Sequence, residues 1–158
     1  MGQLLLGDIN LDLPGNWGVQ GMVTLTLPST DKKVRPNIIV TVERVAPNTD
    51  LPTYYDKIKQ SIVSRGIKSF EVVDEFEFDL SGVAAMQLVC RWDLSAMKSM
   101  AKPGQNLDHI EDGQMVQQIQ VTLLHGEKAV NFTASFPEEQ FDLYARPFEK
   151  FINSLKLG

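Results

Sequence analysis

Leu11 to Pro28 limits the fold more than any other stretch, because a strand breaks at Pro14 and a new one starts at Gly21 with strict two-residue alternation. Proline withholds a ladder donor, Gly15 and Asn16 supply turn geometry, and Trp17 gives the bend a large apolar anchor. In the restarted strand Val23, Leu25 and Leu27 point one way and Met22, Thr24 and Thr26 the other. One face is therefore core, while the second is neither wholly polar nor wholly apolar.

The same alternation recurs along the chain. Leu4 to Leu13 reads as a first strand, Gly21 to Leu27 as a second and Asn37 to Arg44 as a third, with Ile38, Val40 and Val42 opposed to Asn37, Ile39 and Thr41. Asn48-Thr-Asp-Leu-Pro then offers an N-cap followed by proline, and Leu51, Tyr55, Ile58 and Ile62 continue at helical spacing until Gly66. Phe70 to Leu80 returns to strand and Ser81-Gly82 turns it into Val83 to Leu94. Ala84, Met86, Leu88, Cys90 and Trp92 are expected on the core face there, with Gln87, Val89 and Arg91 opposite. Ser95 to Gly113 shows no period, contains Pro103-Gly104, and reads as a long loop. Met115 to His125 and Ala129 to Phe136 form a last hairpin across Gly126-Glu-Lys, and Phe148, Phe151, Ile152 and Leu155, beginning beside Pro147, predict a closing helix.

One-sided strands joined mainly by hairpins, with two one-sided helices, predict an α+β fold over 1–158 as a single domain. The expected form is a curved antiparallel sheet of about six to seven strands with both helices packed on one face. The other face is then open, and it carries Met22, Thr24, Ile39, Thr41, Gln87, Val89, Arg91, Gln118, Gln120 and Thr122. Amides, small hydroxyls and aliphatics together are unusual there, since a solvated sheet face ordinarily carries more Lys and Glu.

Several functions are argued against by what the chain lacks. Its 158 residues carry a formal charge of −5, with scattered Lys and Arg, so the footprint of a nucleic-acid binder is missing and anionic lipid is not held by charge. No apolar run approaches the about 20 residues of a membrane span, and Met1-Gly-Gln-Leu-Leu-Leu lacks the basic region of a secretory signal, so a cytoplasmic protein without stable membrane insertion is expected. Cys90 alternates with core residues and reads as a buried small hydrophobe. The two histidines, His109 and His125, stand beside no nucleophile and orienting acid in sequence. Asp108-His109-Ile-Glu111-Asp112 lacks a second His or Cys at ligand spacing, and no phosphate-binding glycine loop occurs. No enzyme activity, cofactor or metal is expected.

Asp8-Ile-Asn-Leu-Asp-Leu-Pro-Gly-Asn-Trp17, Val23-Thr-Leu-Thr-Leu-Pro28, Arg35-Pro-Asn-Ile-Ile-Val-Thr41, the helix with Tyr54-Tyr55 and Gln60, and the Gln118-Ile-Gln120 strand together resemble the DcrB-like, PsbP-like α/β proteins. Within that group they are most similar to the Eag chaperones, effector-associated proteins of bacterial type VI secretion. The resemblance implies a cytoplasmic homodimer that shields the hydrophobic N-terminal transmembrane segments of an effector before export. By it, Met22, Thr24 and Ile39 would supply apolar contact and Gln118, Gln120 and Gln60 would satisfy polar groups. The remaining polar residues of the open face, Thr41, Gln87 and Arg91, complete the expected partner-binding set. A small-molecule or lipid-binding domain, or an accessory docking subunit of a secretion or envelope complex, is the alternative that the residues leave open.

Overall fold

The computed structural model describes residues 2–6, 8–15, 17, 19–28, 35–67, 69–95 and 114–157. Six strands form one antiparallel sheet: β3 (Gly21–Thr26), β4 (Asn37–Arg44), β5 (Glu71–Leu80), β6 (Val83–Asp93), β7 (Met115–His125) and β8 (Lys128–Pro137), in the order β3-β4-β8-β7-β6-β5. Among the described residues two α-helices complete it, α1 (Leu51–Val63) and α2 (Phe141–Asn153), which gives the expected α+β class with an open antiparallel sheet. The expected single strand Leu4–Leu13 is instead a separate hairpin of β1 (Gly2–Leu6) and β2 (Ile9–Leu13), paired from Gly2↔Leu13 to Leu6↔Ile9. Trp17 does not anchor that bend. Its amide donates to the Pro14 carbonyl at 3.0 Å, closing a turn, and its side chain is 66% exposed.

Turn chemistry fixes the register of the two long hairpins. Ser81 and Gly82 both adopt positive φ, 55° and 88°, the geometry that matches strand twist in a two-residue loop, and Leu80 pairs with Val83. Gly126, at φ 61°, does the same work where His125 pairs with Lys128. Each α-helix begins and ends for local reasons. Asp50 caps α1, its Oδ1 accepting from the Thr53 amide at 2.8 Å, and Pro52 sits in the first turn where a missing N–H is harmless. At its far end Gly66, at φ 60°, leaves the helical conformation. α2 starts at Phe141, a turn and a half before the expected Pro147, which is accommodated inside the helix.

The helices do not share a face. Phe148 and Ile152 of α2 pack with Ile119, Val121, Phe132, Ala134 and Phe136, and Phe136 stacks on Tyr144 with ring centres 5.2 Å apart. Tyr144 Oη donates to the Pro28 carbonyl at 3.2 Å and Ser81 Oγ to the Leu155 carbonyl at 2.6 Å, so contacts from α2 and its C-terminal extension reach from the end of β3 to the β5–β6 turn. α1 instead binds the alternate residues of the same strands, Glu43 and Asn131 through Tyr54 and Glu75 through Tyr55. The expectation of both helices on one face is thus corrected. The reason is visible in β6, where Ala85 and Val89 are buried on the α2 side and Leu88 and Cys90 on the α1 side. A strand covered on both sides loses simple alternation.

Candidate functional site

Across the α1 side of the sheet, cross-strand pairing lines residues up in rows. One row runs Thr24, Ile39, Thr133, Gln120, Leu88, Glu75; its neighbours run Met22, Thr41, Asn131, Thr122, Met86, Glu77 and Thr26, Asn37, Ser135, Gln118, Cys90. α1 roofs only part of this surface. Its tyrosines straddle the sheet: Tyr55 Oη donates to Glu75 Oε1 at 2.6 Å, Lys59 Nζ lies 2.9 Å from Glu75 Oε2, and Tyr54 Oη donates to Glu43. The β3–β4 end stays open, with Met22 67% exposed and Ile39 and Thr41 half-buried.

Between α1 and strands β7–β8 a groove of about 600 Å³ remains, walled by Ile58 and Ile62 of α1, Ile67 and Trp92, and floored by Gln118, Gln120 and Thr133. Lys57, Arg65 and Glu43 stand among its polar lining. Such volumes fall within the usual range of ligand sites, about 300–1,000 Å³.

Beneath the groove runs a buried hydrogen-bond chain. Thr133 Oγ1 donates to Gln120 Oε1 at 2.6 Å and Gln120 Nε2 donates to Asn131 Oδ1 at 3.4 Å. Thr122 Oγ1 donates to the same oxygen at 2.8 Å, and Asn131 Nδ2 donates to Tyr54 Oη at 2.9 Å. No buried side-chain polar atom among the described residues is left without a partner. Gln120 and Asn131 are thereby committed to one another, which holds the floor in one arrangement. Gln118 is different: its Oε1 accepts from the Cys90 thiol at 3.7 Å, and its Nε2 has no protein partner among the described residues. Of the two glutamines that β7 turns toward the groove, Gln118 is the one with donors to spare.

Electrostatics follow from burial. Desolvation, reinforced by the Glu43 carboxylate, pushes the Tyr54 hydroxyl up to about 12, and desolvation with the Glu75 carboxylate raises Tyr55. Donation from Tyr55 and Lys59 holds Glu75 below the usual carboxylate value. Burial pushes the Cys90 thiol up to about 11, so it is neutral and weakly nucleophilic near pH 7.

Six of the nine expected partner-binding residues, Met22, Thr24, Ile39, Thr41, Gln118 and Gln120, therefore share one face. Three do not. Gln87 pairs with Val121 and Arg91 with Gln117, placing both on the α2 side, where Arg91 Nε and Nη1 each lie 2.8 Å from a carboxylate, Glu71 and Glu138 respectively. Gln60 faces outward from α1 beside Asp56, Lys59 and Val63. Cys90 is fully buried, as expected, but on the α1 side next to Gln118 rather than opposite it. Residues not foreseen include Trp92, Thr133, Tyr54 and the Ile58–Ile62 pair. Thr133 was recoverable, because the two-residue turn at Gly126 places it opposite Gln120. The acidic segment at 108–112 and most of the expected loop 95–113 lie outside the described residues. Among the described residues no group of three or more His, Cys, Asp or Glu side chains is placed to hold a metal, and no helix is long and apolar enough to cross a membrane.

This six-stranded open antiparallel sheet with two helices is similar in fold to a PsbP structure. The solution structure of the PsbP homologue CyanoP from Synechocystis aligns with a TM-score of 0.51 at 14% identity over 85% of this chain and 79% of its own. The family model of DcrB matches residues 9–154, and the chain belongs to the DcrB family. A Pseudomonas aeruginosa protein of unknown function aligns over 100% of this chain and 97% of its own, with a TM-score of 0.70 at 13% identity. LpqN of Mycobacterium tuberculosis, involved in cell envelope biogenesis, aligns over 89% and 84% with a TM-score of 0.51 at 14% identity. At these identities the likeness is one of fold. No curated protein matches the sequence at a significant level.

Proposed function

We propose that this chain is a non-enzymatic, cytoplasmic chaperone of the Eag kind, which holds the hydrophobic N-terminal transmembrane segments of a type VI secretion effector until export. The observation that carries the reading is the partly roofed sheet face, apolar at Met22, Ile39, Trp92, Ile58 and Ile62 yet supplied with amide donors at Gln118. A transmembrane helix in water needs its apolar surface covered. It also presents small residues and hydroxyls whose oxygens and neighbouring carbonyls can accept hydrogen bonds. A sheet face lined only with aliphatics would serve the first need and not the second.

The open β3 end of the face is shorter than the client. A spanning helix of about 20 residues is about 30 Å long, whereas the six residues of β3 extend about 20 Å. A homodimer that sets two such faces together covers more of the helix, and dimerisation is part of the proposal.

Co-expression with a hydrophobic effector N-terminus tests it. Met22→Asp and Ile39→Asp should leave the free protein folded, because both side chains are at least partly exposed, and should abolish recovery of the soluble client by setting an unpaired charge against hydrocarbon. Val40→Asp, on the α2 side against the core, should instead unfold the chain. Folded Met22→Asp and Ile39→Asp proteins that still hold the client would refute the sheet face as its site.

A further inference from the structure

A second cleft lies on the opposite side of the sheet, between α2 and strands β5–β7, with a volume of about 450 Å³. Its apolar walls come from Phe76, Phe78 and Ile119 on the sheet and Phe148 and Ile152 on the helix, with the Phe76 and Phe78 rings 5.8 Å apart and tilted by 57°. The cleft reaches edge strand β5, where the pairing register slips between Val72 and Asp74 and Val73 is inserted as an exposed extra residue. Bulges of this kind interrupt an edge and re-aim its side chains. Here the slip leaves Asp74 on the cleft side.

The charge of the two clefts differs. Lys57 and Arg65 accompany one carboxylate in the groove under α1, whereas among the described residues the α2 cleft is lined by two carboxylates, Asp74 and Glu149, with neither lysine nor arginine. Asp74 Oδ1 accepts from the Glu75 amide at 2.8 Å, and neither acid forms an ion pair among the described residues. Gln87 and Gln117 add amide groups between the apolar wall and the acidic rim. An aromatic-lined pocket bordered by two carboxylates repels anionic amphiphiles and attracts cationic ones.

We infer that the cleft between α2 and the β5–β7 face is a binding site for a cationic amphiphile, its hydrocarbon body against Phe76, Phe78 and Phe148 and its ammonium head at Asp74 and Glu149. The inference is independent of the chaperone reading, since it uses the other side of the sheet. It also gives Gln87, which stands apart from Gln118 and Gln120, a place in a site of its own.

Methyl NMR of the full chain, titrated at low salt with n-octylammonium and separately with n-octanoate below their micelle concentrations, tests it. Octylammonium should shift the methyl signals of Ile119 and Ile152 saturably, with those of Ile58 and Ile62 unmoved, and octanoate should bind more weakly. The double variant Asp74→Asn, Glu149→Gln changes only exposed side chains, so it should fold normally and lose about three- to tenfold in octylammonium affinity together with the preference for the cation. Ala145→Trp, which fills the cleft from α2, should abolish the shifts; because it risks the fold, the charge variant carries the decision. Shifts centred on Ile58 and Ile62, equal affinity for the two ions, or an unchanged double variant would each overturn the assignment.

Discussion

Tyr54→Phe and Tyr55→Phe delete the same atom at adjacent positions of α1, and the structure predicts unequal losses. Each tyrosine donates to one carboxylate, Glu43 or Glu75, and both acids are exposed residues that water can re-solvate. That part of the cost is common to the two variants. Tyr54 Oη has a second task, since it accepts from Nδ2 of Asn131, a residue only 6% exposed whose Oδ1 is already taken by Thr122 and Gln120. Removing the hydroxyl strands that amide donor beneath the retained ring, and a buried unsatisfied donor costs about 1–3 kcal/mol. Tyr54→Phe should therefore be less stable than Tyr55→Phe by about 2 kcal/mol, or about 4–8 °C in Tm for a domain of this size. Thermal and urea unfolding followed by circular dichroism at pH 7 measure the difference, with equal m-values confirming that both variants unfold from the same state. Equal losses, or a larger loss at Tyr55, would refute the claim that the buried amide chain depends on Tyr54.

Further expectations concern charge and the packed strand. Glu75 has its folded pKa depressed, so its contribution is complete above the ordinary Glu value of about 4.3 and is lost as pH falls through the lower folded value; acid titration of the Tyr55 ring signals should show the α1–β5 attachment loosening there, and Lys59→Met should move the transition upward. Tyr54 is the opposite case, its stabilisation intact below about pH 10 and lost as pH rises through about 12, so its tyrosinate absorbance should appear later than that of a free tyrosine. Cys90→Ala should cost about 1 kcal/mol through loss of a small buried side chain, and it also removes the thiol that fixes Gln118 Oε1. Cys90→Ser restores a donor there, so comparing the client affinity of the two folded variants tests whether that contact orients the amide.

The sheet was legible in the sequence because most of its strands keep two-residue alternation, although the turn read across Gly126-Glu-Lys is one residue shorter, with Lys128 already paired to His125. Failure came where alternation met cover on both sides. In β6 apolar residues occupy both parities, so periodicity could not say which set accompanies Gln118. Counting from the Ser81-Gly82 turn resolves it, for Leu80↔Val83 implies Phe78↔Ala85 and Phe76↔Gln87, which sets Gln87 beside the phenylalanines of the α2 side. The connection from β6 to β7 offered no such count, since the sequence of 95–113 shows no period from which to count. Gln60 failed for another reason: helical spacing defined the stripe of Leu51, Tyr55, Ile58 and Ile62, and Gln60 lies off it. Trp17 shows that a large aromatic beside a turn is not thereby buried.

The strand order has a consequence for how the chain is made. β4 borders β8, so Arg44 must find Lys128, a partner 84 positions later in the sequence, before the six strands are joined. During synthesis the β3–β4 pair emerges early, with the core-facing side chains of Ile38 and Val40 lacking Phe132 and Ala134, and must wait for the β7–β8 hairpin to be translated. Distant pairings of this kind slow folding, because chain must be ordered before its contacts form. A nascent chain halted anywhere before residue 128 carries two strands with nothing to join, and its rate of completion depends on the last hairpin rather than on the first.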